Sequence, residues 1–321
     1  MSRRTIGLLI AALAAAPLPA SAQKCRMDAA DRAWLEQALV QWHATETGVL
    51  ELASMPLPQV IAIDADCTYA LPAGDFAAMT AEPHGEMVKL PDGAEAPLGP
   101  IAFASGEGGY FAMSLPSVWR AAGVTGEGGL ERLMTGVLLH EMMHVRQTAL
   151  ANAALAGAMA AAGISDDELT DDVVQERFFG DADYVAAYEA ERDMLFAAAA
   201  APGDAQARTL AVEALGLMRA RRARWFAGDN APFAAIDDVF LTMEGMGQLL
   251  IYRYLRSPEG GAVSEAEAIE DVRRGRRWWS QDHGFALLLV VDRLLSDWQQ
   301  RAFREPDWRA ERLLAAAIEA R

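Results

Sequence analysis

The stretch Leu138-Leu139-His140-Glu141-Met142-Met143-His144-Val145 decides how this chain is read. Its apolar residues recur at helical spacing and no breaker interrupts them, so the run predicts a helix from Gly129 to about Ala162. Two histidines four apart project from one face of a helix, one turn apart. At that spacing two imidazoles can grip one zinc ion. Glu141 lies roughly 100° round the helix from His140, where it can reach water at the metal without being a ligand itself. The chain holds five histidines, and two of them fall here with a glutamate at the required place.

A hydrolytic zinc site usually takes three protein ligands and leaves one position open for water. His140 and His144 supply two. An extended motif with a third histidine is absent, because position 147 is Gln and position 150 is Leu. A glutamate from a later helix is then the expected third ligand. Glu191 falls on the Tyr184, Tyr188 and Leu195 stripe of a predicted helix, and a carboxylate in an apolar stripe is costly unless it binds something.

With this motif, and with strands preceding it and helices following it, the chain resembles the gluzincin group of zinc metallopeptidases. The resemblance implies an α+β, zincin-like fold. In such a fold a small N-terminal sheet with an edge strand lies over the motif helix, and a helical lobe holds a glutamate ligand. Glu244, in Leu241-Thr242-Met243-Glu244-Gly245-Met246-Gly247, is similar to the ligand segment of several such families, and its glycines would permit a close helix approach. Glu189 with Asp193 is similar to a Glu-x-x-x-Asp arrangement found in others, where the aspartate orients a ligating histidine. Glu244, Glu191 and Glu189 therefore remain candidates. Each has a plainer reading as a surface or salt-bridged glutamate, and one of Glu191 and Glu244 could face substrate while the other faces metal.

Outward from the motif, residues 28–45 predict an amphipathic helix marked by Trp34, Leu35, Leu39 and Trp42. Short strands are predicted at 60–63, 68–71, 87–90, 101–105 and 110–115. Pro116 ends the last one and suggests an edge position that could pair with an extended peptide. Further helices are predicted at 184–200, 205–226, 236–255, 264–274 and 284–303. The segment from Gln147 to Ser165 has no charge, but it is mostly alanine and reads as the buried tail of the motif helix, not a membrane span. The expected organisation is 1–22 signal peptide, 23–162 lobe with the sheet and motif helix, and 163–321 helical lobe.

The signal reading rests on Arg3 and Arg4, an apolar core from Ile6 to Ala16, and the small-x-small site Ala20-Ser21-Ala22. It predicts a periplasmic or secreted protein. Formal charge is −17 over 321 residues, and loss of Arg3 and Arg4 with the leader makes it −19. Such a chain is repelled by nucleic acid and anionic lipid. Cys25 and Cys67 are the only cysteines and are expected to pair in an oxidising compartment, contributing on the order of 3–4 kcal/mol. The alternative is two unpaired thiols.

These readings together predict an exported zinc metallopeptidase acting on a peptide or protein substrate, with Glu141 as general base toward a zinc-activated water. His283 is the first candidate for an oxyanion donor, with Tyr252 and Tyr254 behind it. Endopeptidase and aminopeptidase action are both open. The competing class is a non-enzymatic periplasmic binding module with the same fold, although a pure binding role does not require Glu141. An intramembrane protease, which also uses this motif, is disfavoured by the absence of long apolar spans.

Overall fold

A computed structural model describes residues 25–320 apart from 53–54, 106–108, 127, 166–167 and 305. The proposed signal peptide, with Ala20-Ser21-Ala22, lies outside the described residues. The chain opens with α1 (Ala29–Gly48), capped by Asp28, whose carboxylate accepts from the Ala30 amide at 2.8 Å. Strands β1 (Gln59–Ile63), β2 (Cys67–Leu71), β3 (Thr80–Pro83), β4 (Met87–Lys89), β5 (Glu95–Pro97), β6 (Ala102–Ser105) and β7 (Tyr110–Ser114) follow. After α2 (Pro116–Ala121) comes the motif helix α3 (Leu130–Ala162), and the rest is helical. Helices α4 (Val173–Phe178), α5 (Ala182–Ala199), α6 (Asp204–Trp225) and α7 (Phe233–Arg256) are followed by α8 (Glu265–Arg273), α9 (Trp279–Leu294), α10 (Trp298–Arg301) and α11 (Ala310–Glu319). The fold is α+β, with a small sheet before the motif helix and a helical part after it.

Five strands form one sheet in the order β3-β2-β1-β7-β6, and β4 and β5 form a separate hairpin. β1 pairs antiparallel with β2 and parallel with β7. Side-chain alternation along the strands builds two cores. Val60, Ala62, Tyr69, Leu71, Phe111 and Met113 face the main core shared with α1 and α3. Ile61, Ile63, Tyr110 and Ala112 face the other way and are covered by Val88 and Leu90 of the hairpin region. Cys25 and Cys67 are joined in a disulfide that ties the segment before α1 to β2.

The sequence expectation for the sheet edge is corrected. β7 is an interior strand, hydrogen-bonded to β1 on one side and β6 on the other. Pro116 does not mark an edge; it opens α2, where the first helical position has no use for an amide hydrogen. Among the described residues the sheet's edge strands are β3 and β6, and β6 packs over α3. Helix 284–303 is corrected too, because α9 begins at Trp279 and ends at Leu294.

Gly284, expected as a helix start, lies inside α9 and serves a crossing. A Cβ there would sit 2.4 Å from the Leu241 carbonyl oxygen and 2.8 Å from the Gly245 amide nitrogen on α7. Glycine inside a helix costs about 1 kcal/mol relative to alanine. The backbone-to-backbone approach of α7 and α9 offsets that cost. No helix among the described residues is long and apolar enough to cross a membrane.

Gly284→Ala is expected to lower stability by about 1–3 kcal/mol despite its better helix propensity. Urea denaturation checks this, and an unchanged or raised midpoint rejects the close-crossing account.

Candidate metal centre

The site is assembled where α7 crosses α3. Gly247 is three residues beyond Glu244, on the same side of α7. A Cβ at Gly247 would fall 2.4 Å from Nδ1 of His140 and 2.7 Å from its Cγ, so the imidazole lies directly on α7 backbone. This contact aims Glu244 at the two histidines. Its Oε2 is 3.1 Å from His140 Nε2 and its Oε1 is 3.1 Å from His144 Nε2. The two rings stand 4.6 Å apart and nearly perpendicular. Among the described residues, His140, His144 and Glu244 are the one group of three or more such side chains with ligand atoms close enough to share a metal ion.

The surroundings hold these groups in place. Nδ1 of His144 faces Gln147 Oε1 at 3.3 Å. Gln147 is buried, and its amide nitrogen rests 3.2 Å from the Met246 sulfur. A ligating histidine commonly has its second nitrogen held in this way, which fixes the ring and its tautomer. Burial would push the His144 pKa down, but the Glu244 carboxylate outweighs it and raises it to about 9. Burial would likewise raise Glu244, yet His144 and His140 hold it well below the usual carboxylate range. Glu141 behaves in the opposite sense. Burial raises its pKa, and the two histidines only partly oppose this.

His140, Glu141, His144 and Glu244 line one cavity of about 930 Å³. Strand β6, from Ala102 to Ser105, forms one wall. Asp92 and Tyr110 also line it, as do Asp171 and Gln281, which the sequence reading did not single out. Asp171 precedes α4, and burial raises its pKa, with Glu244 adding to the rise. Tyr110 donates to Asp92 at 2.8 Å, and burial together with that carboxylate pushes its pKa up to about 12. Gln281 accepts from Gln248 at 2.7 Å. One signal was available in the sequence: Gln281 is two residues before the histidine chosen as donor.

The other candidates are placed elsewhere. Glu191 is fully buried on α5, with Oε2 2.8 Å from Arg221 Nε and Oε1 2.8 Å from His283 Nε2. The costly carboxylate in an apolar stripe is therefore matched by a buried arginine, not by a shared metal. His283 is also fully buried beside Glu191, so the structure does not bring it into the cavity. Glu189 is exposed, 3.9 Å from Arg192. Tyr252 packs on Phe285, and Tyr254 lines a separate hollow with Trp34 and Thr135. His84 lies away from the cavity, with its ring nitrogens 2.7 Å and 3.0 Å from the Gly85 and Asp64 carbonyl oxygens.

Gly247→Ala is expected to weaken divalent-cation binding at least about tenfold by displacing His140, as loss of supporting groups around metal ligands does. Calorimetric titration of the metal-free protein measures this, and unchanged affinity rejects the contact. For Glu191, burial alone would raise the pKa, but Arg221 and His283 lower it from 4.5 to about 2. A depressed carboxylate contributes stability that is present above its unfolded value and lost as pH falls through its folded value. Glu191→Gln should therefore cost about 3–5 kcal/mol at neutral pH. The gap to wild type should close between the unfolded value of 4.5 and the folded value of about 2. Denaturation midpoints at the two ends of this window check it; a gap independent of pH rejects it. Comparison with known protein families, curated proteins and solved structures finds no match to this chain, so the geometry carries the functional reading.

Proposed function

We propose that the protein is an exported zinc-dependent metallopeptidase, with a zincin-like arrangement in which His140, His144 and Glu244 hold the ion. The observation that carries this reading is the meeting of both motif imidazoles with the Glu244 carboxylate, beside Glu141 and at the wall of a large cavity. Two nitrogens and one carboxylate oxygen suit zinc and leave a fourth position open. The donor set also fits because α7 has no side chain at Gly247 to occupy the space of the His140 ring. The Cys25–Cys67 disulfide accords with an oxidising compartment.

Bound there, zinc supplies a Lewis acid that activates water and polarises a carbonyl. The chain's own residues do the remainder. Glu141 takes a proton from the attacking water and delivers it to the departing amine nitrogen. Burial, which raises its pKa, favours Glu141 holding that proton between the two halves of the transfer. Gln281 replaces His283 as the candidate donor to the carbonyl oxygen, because its amide lines the cavity and His283 does not. The free side of β6 can accept an extended peptide by strand addition, which places a scissile bond along α3.

Glu141→Gln is expected to retain stoichiometric zinc and lose hydrolysis by about 10²–10⁴-fold. Elemental analysis beside a fluorogenic peptide assay measures both, and wild-type turnover with full metal content rules the mechanism out. His140→Ala is expected to lose the metal, and normal zinc content in that variant rejects the site.

A further inference from the structure

We propose that the substrate is an internal stretch of an extended polypeptide, with a large apolar side chain next to the scissile bond. This rests on the peptidase reading and settles a choice that reading leaves open, between cutting within a chain and trimming its end. The first observation is a second hollow, of about 730 Å³, beside the one that holds the metal ligands. Ala102 of β6 lines both, so the two meet along the free strand edge. The motif helix floors both as well. Leu133 and Val137 line the second hollow, and Val137 is one turn before Glu141 on the same face. The two hollows therefore flank the site along the motif helix, with room on either side of Glu141.

The chemistry of the second hollow identifies what enters it. Its walls are Trp119, Leu133, Val137, Ile251 and Leu255, and its volume is in the range of small-ligand sites. Arg132, Glu270 and Asp271 line it as well, with Arg132 and Asp271 3.8 Å from one another and Glu270 3.9 Å from Arg273. Such a hollow takes a large apolar side chain against its apolar walls, and each of its charged groups already faces an opposite charge within the chain. On the other side of the site, Thr148, Ala151, Leu155 and Met159 carry the groove along the same helix. From His144 to Met159 is roughly 22 Å of helix, at about 1.5 Å per residue. An extended chain covers that distance in about seven residues. A groove of that length does not close on a terminus beside the catalytic atoms. The reaction adds water across one internal amide: oxygen joins the carbonyl carbon, the C–N bond breaks, and the proton taken by Glu141 goes to the amine.

The test uses decapeptides acetylated at the N-terminus and amidated at the C-terminus, with Phe or Gly at the central position. Binding to zinc-loaded Glu141→Gln is measured by calorimetry, and cleavage by the wild type is mapped by mass spectrometry. The expected result is that blocked peptides bind and are cut internally, with Phe favoured over Gly about tenfold or more. Val137→Trp, which fills the hollow, should reduce that preference about tenfold. Trp119→Ala, on the opposite wall, gives an independent reading if Val137→Trp fails to fold. A requirement for a free terminus overturns the internal-cleavage assignment. Equal handling of Phe and Gly, or a preference unmoved by both variants, overturns the apolar subsite. If no peptide binds or is cleaved, blocked or free, the peptidase reading falls and takes this one with it.

Discussion

The structure depends on a helix crossing made of backbone. Gly247 of α7 rests on the His140 imidazole, and Gly245 of the same helix lies against Gly284 of α9. With side chains at these positions, α7 would be held away from both neighbours and Glu244 could not reach His140 and His144 together. Each glycine forgoes about 1 kcal/mol of helix propensity. The return is a carboxylate held between two imidazoles in a buried setting, where mutual charge attraction outweighs desolvation and keeps Glu244 ionised. Packing and electrostatics are thus one device here, because the tight crossing brings the charges together.

A second buried charge cluster lies in the helical part and follows the same logic away from the metal-ligand cavity. Arg221 is buried among Glu191, Asp237 and the Tyr184 hydroxyl, and His283 approaches Glu191 from α9. Burying this many charges is tolerable only when each has a partner. The cluster ties α5, α6, α7 and α9 together. It supports the helices that carry Glu244 and Gln281 without facing the cavity itself. Glu191 and Glu244 look alike in sequence, as buried glutamates on predicted helices. They differ in what faces them, an arginine in one case and two imidazoles in the other.

The sheet contributes a wall and an edge. β6 has one strand neighbour and borders both hollows, and the motif helix forms the floor beneath it. The interior position of β7 follows from its parallel pairing with β1, a contact between segments some 50 residues apart. Alternation in a single strand shows which residues share a face but not how many neighbours the strand has. The short β3 and β5, both with proline at their ends, and the helices α2, α4 and α11 were likewise not legible from local pattern.

What the sequence determined by itself was local. Helical periodicity placed α3 almost to the residue, with His140, Glu141 and His144 on it and the two histidines one turn apart. The presence of only two cysteines, with an expected export leader, pointed to the pairing found between Cys25 and Cys67. Tertiary structure alone decided which of three glutamates meets the histidines, since Glu244 is 100 residues from His144 and periodicity carries no information across that gap. It also decided that His283 turns to Glu191, that β6 and not β7 lies at an edge of the sheet, and that hollows lie along the motif helix both before and after Glu141. The reason is the same in each case. Helix and strand periods fix directions within one element, whereas ligand geometry, ion pairing and cavities arise between elements, where side-chain volume sets the distance of approach.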